Sequence, residues 1–175
     1  IRAVLADGAE VDFEALRRNL FANASCGICG MATIEYALRT APPLDDPARF
    51  RAALFAELPG RLRTAQPIFD ATGGLHAAAA FNAMGELLIV REDVGRHNAV
   101  DKVVGHLSSL RWPLGPIGLM VSGRVSFEMI QKAAVAGISL VAGVSAASSL
   151  AVDLAEELGM TAVGFVRDGG YNIYA

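Results

Sequence analysis

Short apolar runs of strand length alternate with stretches of helical periodicity over the second half of the chain. The periodicity is clearest where Val100, Val103, Val104 and Leu107 share one helix face. Strands that alternate with helices favour an α/β fold with a central, mostly parallel sheet. The runs are nearly all apolar, as expected when both faces of a sheet are covered. The predicted strands lie at 87–90, 117–121, 138–144, 160–166 and 171–174, and further helices at 125–136 and 148–158.

The first 64 residues differ in their pattern of apolar residues, and we expect a small helical segment there. Apolar residues recur at helical spacing over 9–23, and a further helix opened by Pro47 is expected to end at Pro59-Gly60. A glycine-rich loop at 25–30 interrupts the segment and carries both cysteines. The chain is thus divided into a helical segment, 1–64, and an α/β domain, 65–175.

Charge and hydropathy exclude several classes of protein. With 15 Lys and Arg against 18 Asp and Glu the formal net charge is −3, whereas general nucleic-acid binders are usually basic. Hydrophobic residues make up 53% of the chain, which excludes global disorder. The uncharged stretch 133–152 contains two glycines and fits a buried strand between helix ends better than a membrane span. No secretory leader opens the chain and cysteines are few, so we expect a cytoplasmic protein that binds neither nucleic acid nor membrane.

Polar, glycine-rich loops follow the predicted strands, at the point where each strand ends. In such a sheet, ligands bind beyond the carboxyl ends of the strands. Gly, Ser and Arg offer backbone N–H groups, hydroxyls and a bidentate cation, and the helices that follow add their N-termini, so the loops suit phosphate. Any one of them could be an ordinary turn, but together they favour an anionic ligand. The four loops are Arg91–Asn98, Ser122–Arg124, Ser145–Ser149 and Arg167–Gly170.

These loops match no standard nucleotide fingerprint. The sequence contains neither G-x-x-x-x-G-K-[ST] nor G-x-G-x-x-G, so ATP hydrolysis and a Rossmann site lose support. His76, in a loop predicted at 72–78, is placed like the histidine of the zinc deaminases, but Ala78 stands where their catalytic Glu is needed. Deamination is therefore disfavoured, and His76 could be a base, a ligand or a capping residue. His97, within the first polar loop, is the better candidate for contact with a ligand.

The two cysteines, Cys26 and Cys29, form a Cys-x-x-Cys pair flanked by glycines. An accessible thiolate can carry sulfur as a persulfide, a vicinal pair can cycle between dithiol and disulfide, and two thiolates can supply half of a zinc site. No second Cys-x-x-Cys or His-x₃₋₅-His pair is present in the sequence, so no metal site is predicted. Sulfur transfer, redox cycling and an inert buried pair stay open on the residues alone.

Four motifs, in order along the chain, resemble the FdhD family of formate dehydrogenase accessory sulfurtransferases. The block Arg91–Lys102, R-E-D-V-G-R-H-N-A-V-D-K, is long and highly specific, and the resemblance runs from about residue 19 to residue 175. It implies a cytidine-deaminase-like three-layer fold without deaminase chemistry. The other three motifs are Cys26–Gly30, Thr72–Ala78 and Ser122–Arg124.

The resemblance implies a sulfur carrier that takes sulfur from a cysteine desulfurase and passes it to the bis-molybdopterin guanine dinucleotide cofactor of formate dehydrogenase. Cys26 maps onto the cysteine that carries the persulfide, and Cys29 onto a second cysteine that assists transfer or resolves the persulfide. The family's cofactor-binding segment maps onto Phe165, Val166, Arg167, Asp168, Gly169 and Gly170.

That segment and the strand-end loops would make residues 65–175 the cofactor-binding domain, with a guanine nucleotide as a partial mimic of the cofactor. The expected partners are the desulfurase, formate dehydrogenase and, from the apolar composition, a second copy of the chain. The alternatives are a chaperone that binds the molybdenum cofactor without transferring sulfur, and a dithiol redox protein. The remaining candidates for cofactor binding are Arg91, Arg96, His97, Ser122, Gly123, Arg124, Gly73 and His76.

Overall fold

The computed structural model describes most of the α/β domain and less of the segment before it. The described residues are 9, 22–23, 28–29, 41, 43–44, 48–167 and 169–175. The helices are α1 (Leu54–Thr64), α2 (Pro67–Thr72), α3 (Arg96–Ser108), α4 (Phe127–Val135) and α5 (Ser149–Leu158). The strands are β1 (Ala22–Asn23), β2 (Ile28–Cys29), β3 (His76–Phe81), β4 (Leu87–Asp93), β5 (Gly118–Val121), β6 (Leu140–Gly143), β7 (Thr161–Arg167) and β8 (Gly170–Ile173). Among these helices none is long and apolar enough to cross a membrane.

Six strands form one sheet in the order β4-β3-β5-β6-β7-β8. The pairs β5–β6 and β6–β7 are parallel, whereas β3–β4, β3–β5 and β7–β8 are antiparallel. Strands β4 to β7 therefore all run in the same direction, and β3 and β8 run against them. The α/β class is confirmed, but the pairing is mixed rather than mostly parallel, because β3 lies antiparallel between β4 and β5 and β8 returns directly from β7.

Helices cover both faces of the sheet, so the three-layer arrangement is confirmed. Helices α3, α4 and α5 pack on one face, where Val100, Ile130 and Leu154 are completely buried. Helix α1 packs on the other face through Leu58 and Leu62. Alternate residues of each central strand enter the two halves of this core, because successive side chains of a strand point to opposite faces.

The loop predicted over 72–78 is wrong in its second half, because strand β3 begins at His76. The middle of β3 is four buried alanines, Ala77–Ala80, whereas β-branched and aromatic residues are the usual signal for a strand. Small side chains let helices α1 and α3 approach the sheet closely from its two faces. Packing, rather than strand propensity, therefore decides the structure of this segment.

The helix predicted from Pro47 to Pro59-Gly60 is wrong at both ends. Residues 48–53 are not helical, and α1 begins at Leu54 and continues through Pro59 to Thr64. A proline in a helix interior has no N–H to donate, so one hydrogen bond is lost there. The apolar stripe on α1 is buried against the sheet and holds the helix together across the proline. The buried residues of the stripe are Leu54, Phe55, Leu58 and Leu62.

Two short paired strands precede α1 in the described part of the chain. Strands β1 and β2 pair antiparallel, with Ala22 opposite Cys29 and Asn23 opposite Ile28. The helix predicted over 9–23 is therefore wrong at its C-terminal end, and residues 1–64 are not purely helical. The remainder of that predicted helix, apart from residue 9, and Cys26 lie outside the described residues.

Candidate functional site

The polar loops predicted at strand ends do meet at one edge of the sheet. Strands β4 to β7 share one direction, so their carboxyl ends lie side by side, together with the amino ends of β3 and β8. Backbone hydrogen bonds join the loop after β5 to the loop after β6, and that loop to strand β7 near its end. The N–H of Ser145 donates to the Gly123 carbonyl (3.4 Å), and the N–H of Phe165 donates to the Ser145 carbonyl (3.0 Å). This edge, called the strand-end edge below, is thus one connected surface.

His76, Arg96 and Gly123 come together at the centre of the strand-end edge. A Cβ built on Gly123 would lie 3.5 Å from His76 Nδ1 and 3.6 Å from Arg96 Cδ, so the three residues are direct neighbours. Burial, and second the charge of Arg96, lower the pKa of His76 below its ordinary value of 6.5. His76 is therefore neutral near pH 7, and the positive charge of this group resides on Arg96.

The fold leaves the charge of Arg96 and one of its N–H groups poorly stabilised. It is the first residue of α3, at the helix end where the macrodipole disfavours a cation. Its Nε atom is buried and has no hydrogen-bond partner among the residues that the structure describes. An anion bound beside Arg96 and the N-terminus of α3 would satisfy both the charge and the unpaired N–H.

His97 points away from this group toward helix α4. Its Nε2 lies 3.0 Å from the hydroxyl of Ser126, the residue that precedes α4, and 3.1 Å from a carboxylate oxygen of Glu128. Burial lowers the pKa of His97, and the neighbouring Glu128 carboxylate opposes that shift. His97 therefore connects α3 to α4, and any contact with a ligand would compete with these two partners.

The two acidic residues of the R-E-D-V-G-R-H-N block build the loop. Asp93 accepts hydrogen bonds from the Lys102 ammonium, the Gly95 N–H and the Asn98 amide, which lower its pKa to about 2. The Glu92 carboxylate accepts from the backbone N–H groups of Ile68 (3.0 Å) and Phe69 (2.7 Å), at the start of α2. Sequence reasoning assigned no role to either carboxylate. The partners of Glu92 lie more than twenty residues away, where no local pattern links them to it.

The other three predicted arginines are spread over the molecule. The Arg91 guanidinium donates to its neighbour's carbonyl, Val90 (2.9 Å), and lies in a separate groove with Lys102 and His106. Arg124 is exposed in the loop after β5. Arg167 is exposed at the end of β7, with its guanidinium carbon 5.6 Å from the centre of the Phe165 ring. Arg124 and Arg167 thus belong to the strand-end edge, whereas Arg91 is not brought together with Arg96.

The segment from Phe165 to Gly170 contains the last residues of β7 and the first residue of β8. Phe165 has a positive φ of 54°, which is uncommon for a residue other than glycine, and it coincides with a register shift in the β7–β8 ladder. Val166 is fully buried in the core, which leaves only its backbone for a ligand. Gly169 takes the left-handed conformation and Gly170 opens β8, while Asp168 lies outside the described residues.

A cavity of about 530 Å³ opens beside His76, between the strand-end edge and helices α1 and α2. Three predicted residues line it, Gly73, His76 and Ser122. The hydroxyl of Ser122 also accepts a hydrogen bond from the Ala77 N–H (2.9 Å). The other lining residues are Pro59, Leu62, Arg63, Gln66, Phe69, Gly74, Leu75 and Val144. Sequence reasoning missed these residues of α1 and α2, because their place at the site depends on how the helices pack.

Comparison with known proteins decides the family. The sequence pattern of the FdhD/NarQ family matches residues 3–175. The chain belongs to the FdhD/NarQ family. The match takes in both cysteines, all four strand-end loops and the segment from Phe165 to Gly170, so the resemblance noted in the sequence is confirmed.

Several relatives in this family are named sulfur carrier protein FdhD. The relative from Streptomyces avermitilis is 56% identical over 91% of this chain and 58% of its own length, and that from Streptomyces coelicolor is 53% identical over 97% and 62%. The chain thus spans about three fifths of the length of these curated relatives. A crystal structure described as a formate dehydrogenase accessory protein from Desulfotalea psychrophila is 31% identical, with a TM-score of 0.65 over 79% of this chain and 58% of that one.

Proposed function

We propose that this chain is a sulfur carrier, and in that sense a sulfurtransferase, in the maturation of formate dehydrogenase. The observation that carries the proposal is the family match, which covers the Cys-x-x-Cys pair and the strand-end loops together. The names of the relatives and of the similar crystal structure support it. The sulfur would come from a cysteine desulfurase and pass to formate dehydrogenase, in the reducing environment of the cytoplasm.

The first step of the proposed reaction is a transfer between two thiols. The Cys26 thiolate attacks the terminal sulfur of a cysteine persulfide on the donor. The donor's S–S bond breaks, its cysteine leaves as a thiolate, and Cys26 now carries the persulfide, so there is no net oxidation. The glycines that flank Cys26 in the sequence permit the close approach that this attack needs.

Cys29 gives the persulfide a way to release its sulfur. The Cys29 thiolate attacks the Cys26 sulfur, a Cys26–Cys29 disulfide forms, and the terminal sulfur leaves as hydrosulfide with the two electrons that the dithiol has lost. A cellular dithiol then reduces the disulfide and restores the pair.

The proposed acceptor is the bis-molybdopterin guanine dinucleotide substrate, and the strand-end edge is where we place it. Arg96, Arg124 and Arg167 are the cations available there for its phosphates, and the backbone at Gly123 is free of a side chain that would block approach. A net charge of −3 for the whole chain does not oppose this, since the arginines at the edge act locally.

Complementation of cells that lack their own relative of this chain tests the sulfur-carrier proposal. The Cys26→Ala variant should give no formate dehydrogenase activity, and Cys29→Ala should give less than the unchanged chain, because release is slower without the resolving thiolate. Ser25→Ala, next to the motif, is the matched control and should restore activity fully. Restored activity with Cys26→Ala at equal protein level would favour a chaperone that binds the cofactor without carrying sulfur.

A further inference from the structure

Gln66 is a largely buried polar residue whose side chain makes no hydrogen bond within the described part of the fold. It lies between α1 and α2, lines the cavity beside His76 and is only 4% exposed. Its backbone is engaged, since its N–H donates to the Arg63 carbonyl and its carbonyl accepts from the Asp70 N–H. Its carboxamide makes no hydrogen bond to any residue in the described part of the chain. Among the described residues, the buried side-chain polar atoms without a partner include Arg96 Nε but no atom of Gln66, so the Gln66 carboxamide still reaches the open space of the cavity. A ligand in the cavity can therefore pair with it.

The rest of the cavity indicates an uncharged, flat ligand at this point. Leu62, Phe69 and Val144 provide apolar walls. The Arg63 guanidinium lies 4.7 Å from the centre of the Phe69 ring and pairs with the Asp70 carboxylate, so its charge is already neutralised. His76, at the inner end, is neutral near pH 7 because burial and Arg96 lower its pKa. Among the described residues that line the cavity, the one arginine, Arg63, is already paired, so a phosphate would find no free cation there. A heterocycle would find apolar walls and one polar edge.

We propose that the Gln66 carboxamide reads the lactam edge of a planar heterocycle, the ring N–H beside a ring C=O that guanine and pterin share. The side-chain oxygen accepts from the ring N–H, and the side-chain NH₂ donates to the ring C=O. The inference rests on the proposed function, because the proposed substrate carries both heterocycles. From this pocket the charged part of the molecule would extend past Ser122 to Arg96 and Gly123, which adjoin His76.

Binding of defined probes to the purified chain tests this assignment. The probes are GDP, IDP, neopterin and ADP: GDP, IDP and neopterin present the lactam edge, whereas ADP lacks it. The variant is Gln66→Leu, which keeps the size of the side chain and removes both hydrogen-bonding groups. The control is Gln131→Leu, the same change at the other glutamine of the sequence, which lies in α4 on the opposite face of the sheet.

We expect GDP and IDP to bind the unchanged chain with dissociation constants within a few fold of each other, since Gln66 does not contact the 2-amino group. Gln66→Leu should raise the dissociation constant of the ligands that carry the lactam edge at least about tenfold, whereas Gln131→Leu should leave it unchanged. If Gln66→Leu loses affinity for the two nucleotides alone, the cavity is assigned to guanine, and if it loses affinity for neopterin alone, the cavity is assigned to pterin. Either result supports recognition of a lactam edge by Gln66.

The melting temperature separates a ligand-reading role from a structural one. Leucine in place of an unpaired buried amide should leave the melting temperature unchanged or raise it, whereas loss of a structural hydrogen bond would lower it. If GDP binds and Gln66→Leu binds it equally well, the assignment of Gln66 is wrong while the cofactor proposal stands. If the unchanged chain binds neither GDP nor neopterin, or prefers ADP, the assignment is overturned. Sulfur transfer by Cys26 is measured separately and does not depend on either result.

Discussion

Arg96 carries a cation at the positive end of helix α3, and its Nε has no hydrogen-bond partner among the described residues. Two carboxylates of the same block do have partners: the hydrogen bonds of Asp93 hold the loop in place, and those of Glu92 hold helix α2. The block thus combines two carboxylates that hold the loop and α2 in place with an arginine whose Nε has no partner among the described residues. The sequence alone does not show which of these charged residues have partners within the fold, and only the hydrogen bonds of the structure distinguish them.

His76 makes the stability of the chain sensitive to mild acid. Its pKa in the folded chain lies below 6.5, the value expected when it is exposed, so the unfolded chain takes up the proton first. The free energy of unfolding should therefore fall as the pH drops below about 6.5 and be fully present above it. His97, whose pKa is lowered in the same direction, contributes to the same decline. Denaturant unfolding from pH 7.5 downward measures this.

The variant His76→Gln should make that decline shallower, and His106→Gln, exposed on α3, is the matched control. Proton NMR titration of the His76 ring gives its pKa directly. A folded-state pKa at or above 6.5 would show that His76 is not held neutral by burial and Arg96, and the account of the cavity's inner end would then be wrong.

At the residue scale the sequence predicted the strand-end edge well but not the cavity. Ser122 was identifiable because it follows a predicted strand, and Gly73 and His76 because they lie in a glycine-rich loop predicted at 72–78. Gln66 and Phe69 carry no such signal, since a glutamine and a phenylalanine near a helix end are ordinary. Their position beside the cavity follows from the packing of α1 and α2, which a sequence pattern does not reveal.

The position of helix α2 depends strongly on the side chain of Glu92. It has six residues, none of them buried, yet it provides one wall of the cavity. Its first free N–H groups are satisfied by Glu92 from strand β4, and its Asp70 pairs with Arg63 of α1. A helix this short is not stable alone, so these contacts fix its position.

The Glu92→Gln change should loosen α2 without unfolding the sheet. It removes the charge that two helix N–H groups share, and loss of such a cap costs about 1 kcal/mol. Amide hydrogen exchange should become faster at Ile68 and Phe69, while exchange at the buried strand β5 stays slow. Glu156→Gln, exposed on α5, is the control, and unchanged exchange at Ile68 and Phe69 would contradict the capping role of Glu92.

Element types were predictable where helical or strand periodicity was strong, as at β5, α4 and α5. They were not predictable where packing outweighs propensity. Strand β3 is mostly alanine and α1 contains Pro59, and both are kept in place by burial on the two faces of the sheet. The paired strands β1 and β2 are two residues each, too short to give a periodicity of their own.

At the scale of the whole molecule, one edge of the sheet brings together the residues that we propose bind a large anionic substrate. The common direction of β4 to β7 brings the polar loops together at that edge. The family match joins this edge to a Cys-x-x-Cys pair, and the central claim is that Cys26 delivers sulfur to what the edge binds.

Intact-mass measurement after incubation with a cysteine desulfurase and free cysteine tests that claim most directly. The unchanged chain should gain the mass of one sulfur atom, located by peptide mapping on Cys26 and removed by a thiol reductant. The Cys29→Ala variant should gain the same mass and hold it longer, because the resolving thiolate is missing, and Cys26→Ala should gain none. A chain that gains no sulfur, or gains it equally when Cys26 is replaced, would contradict the account.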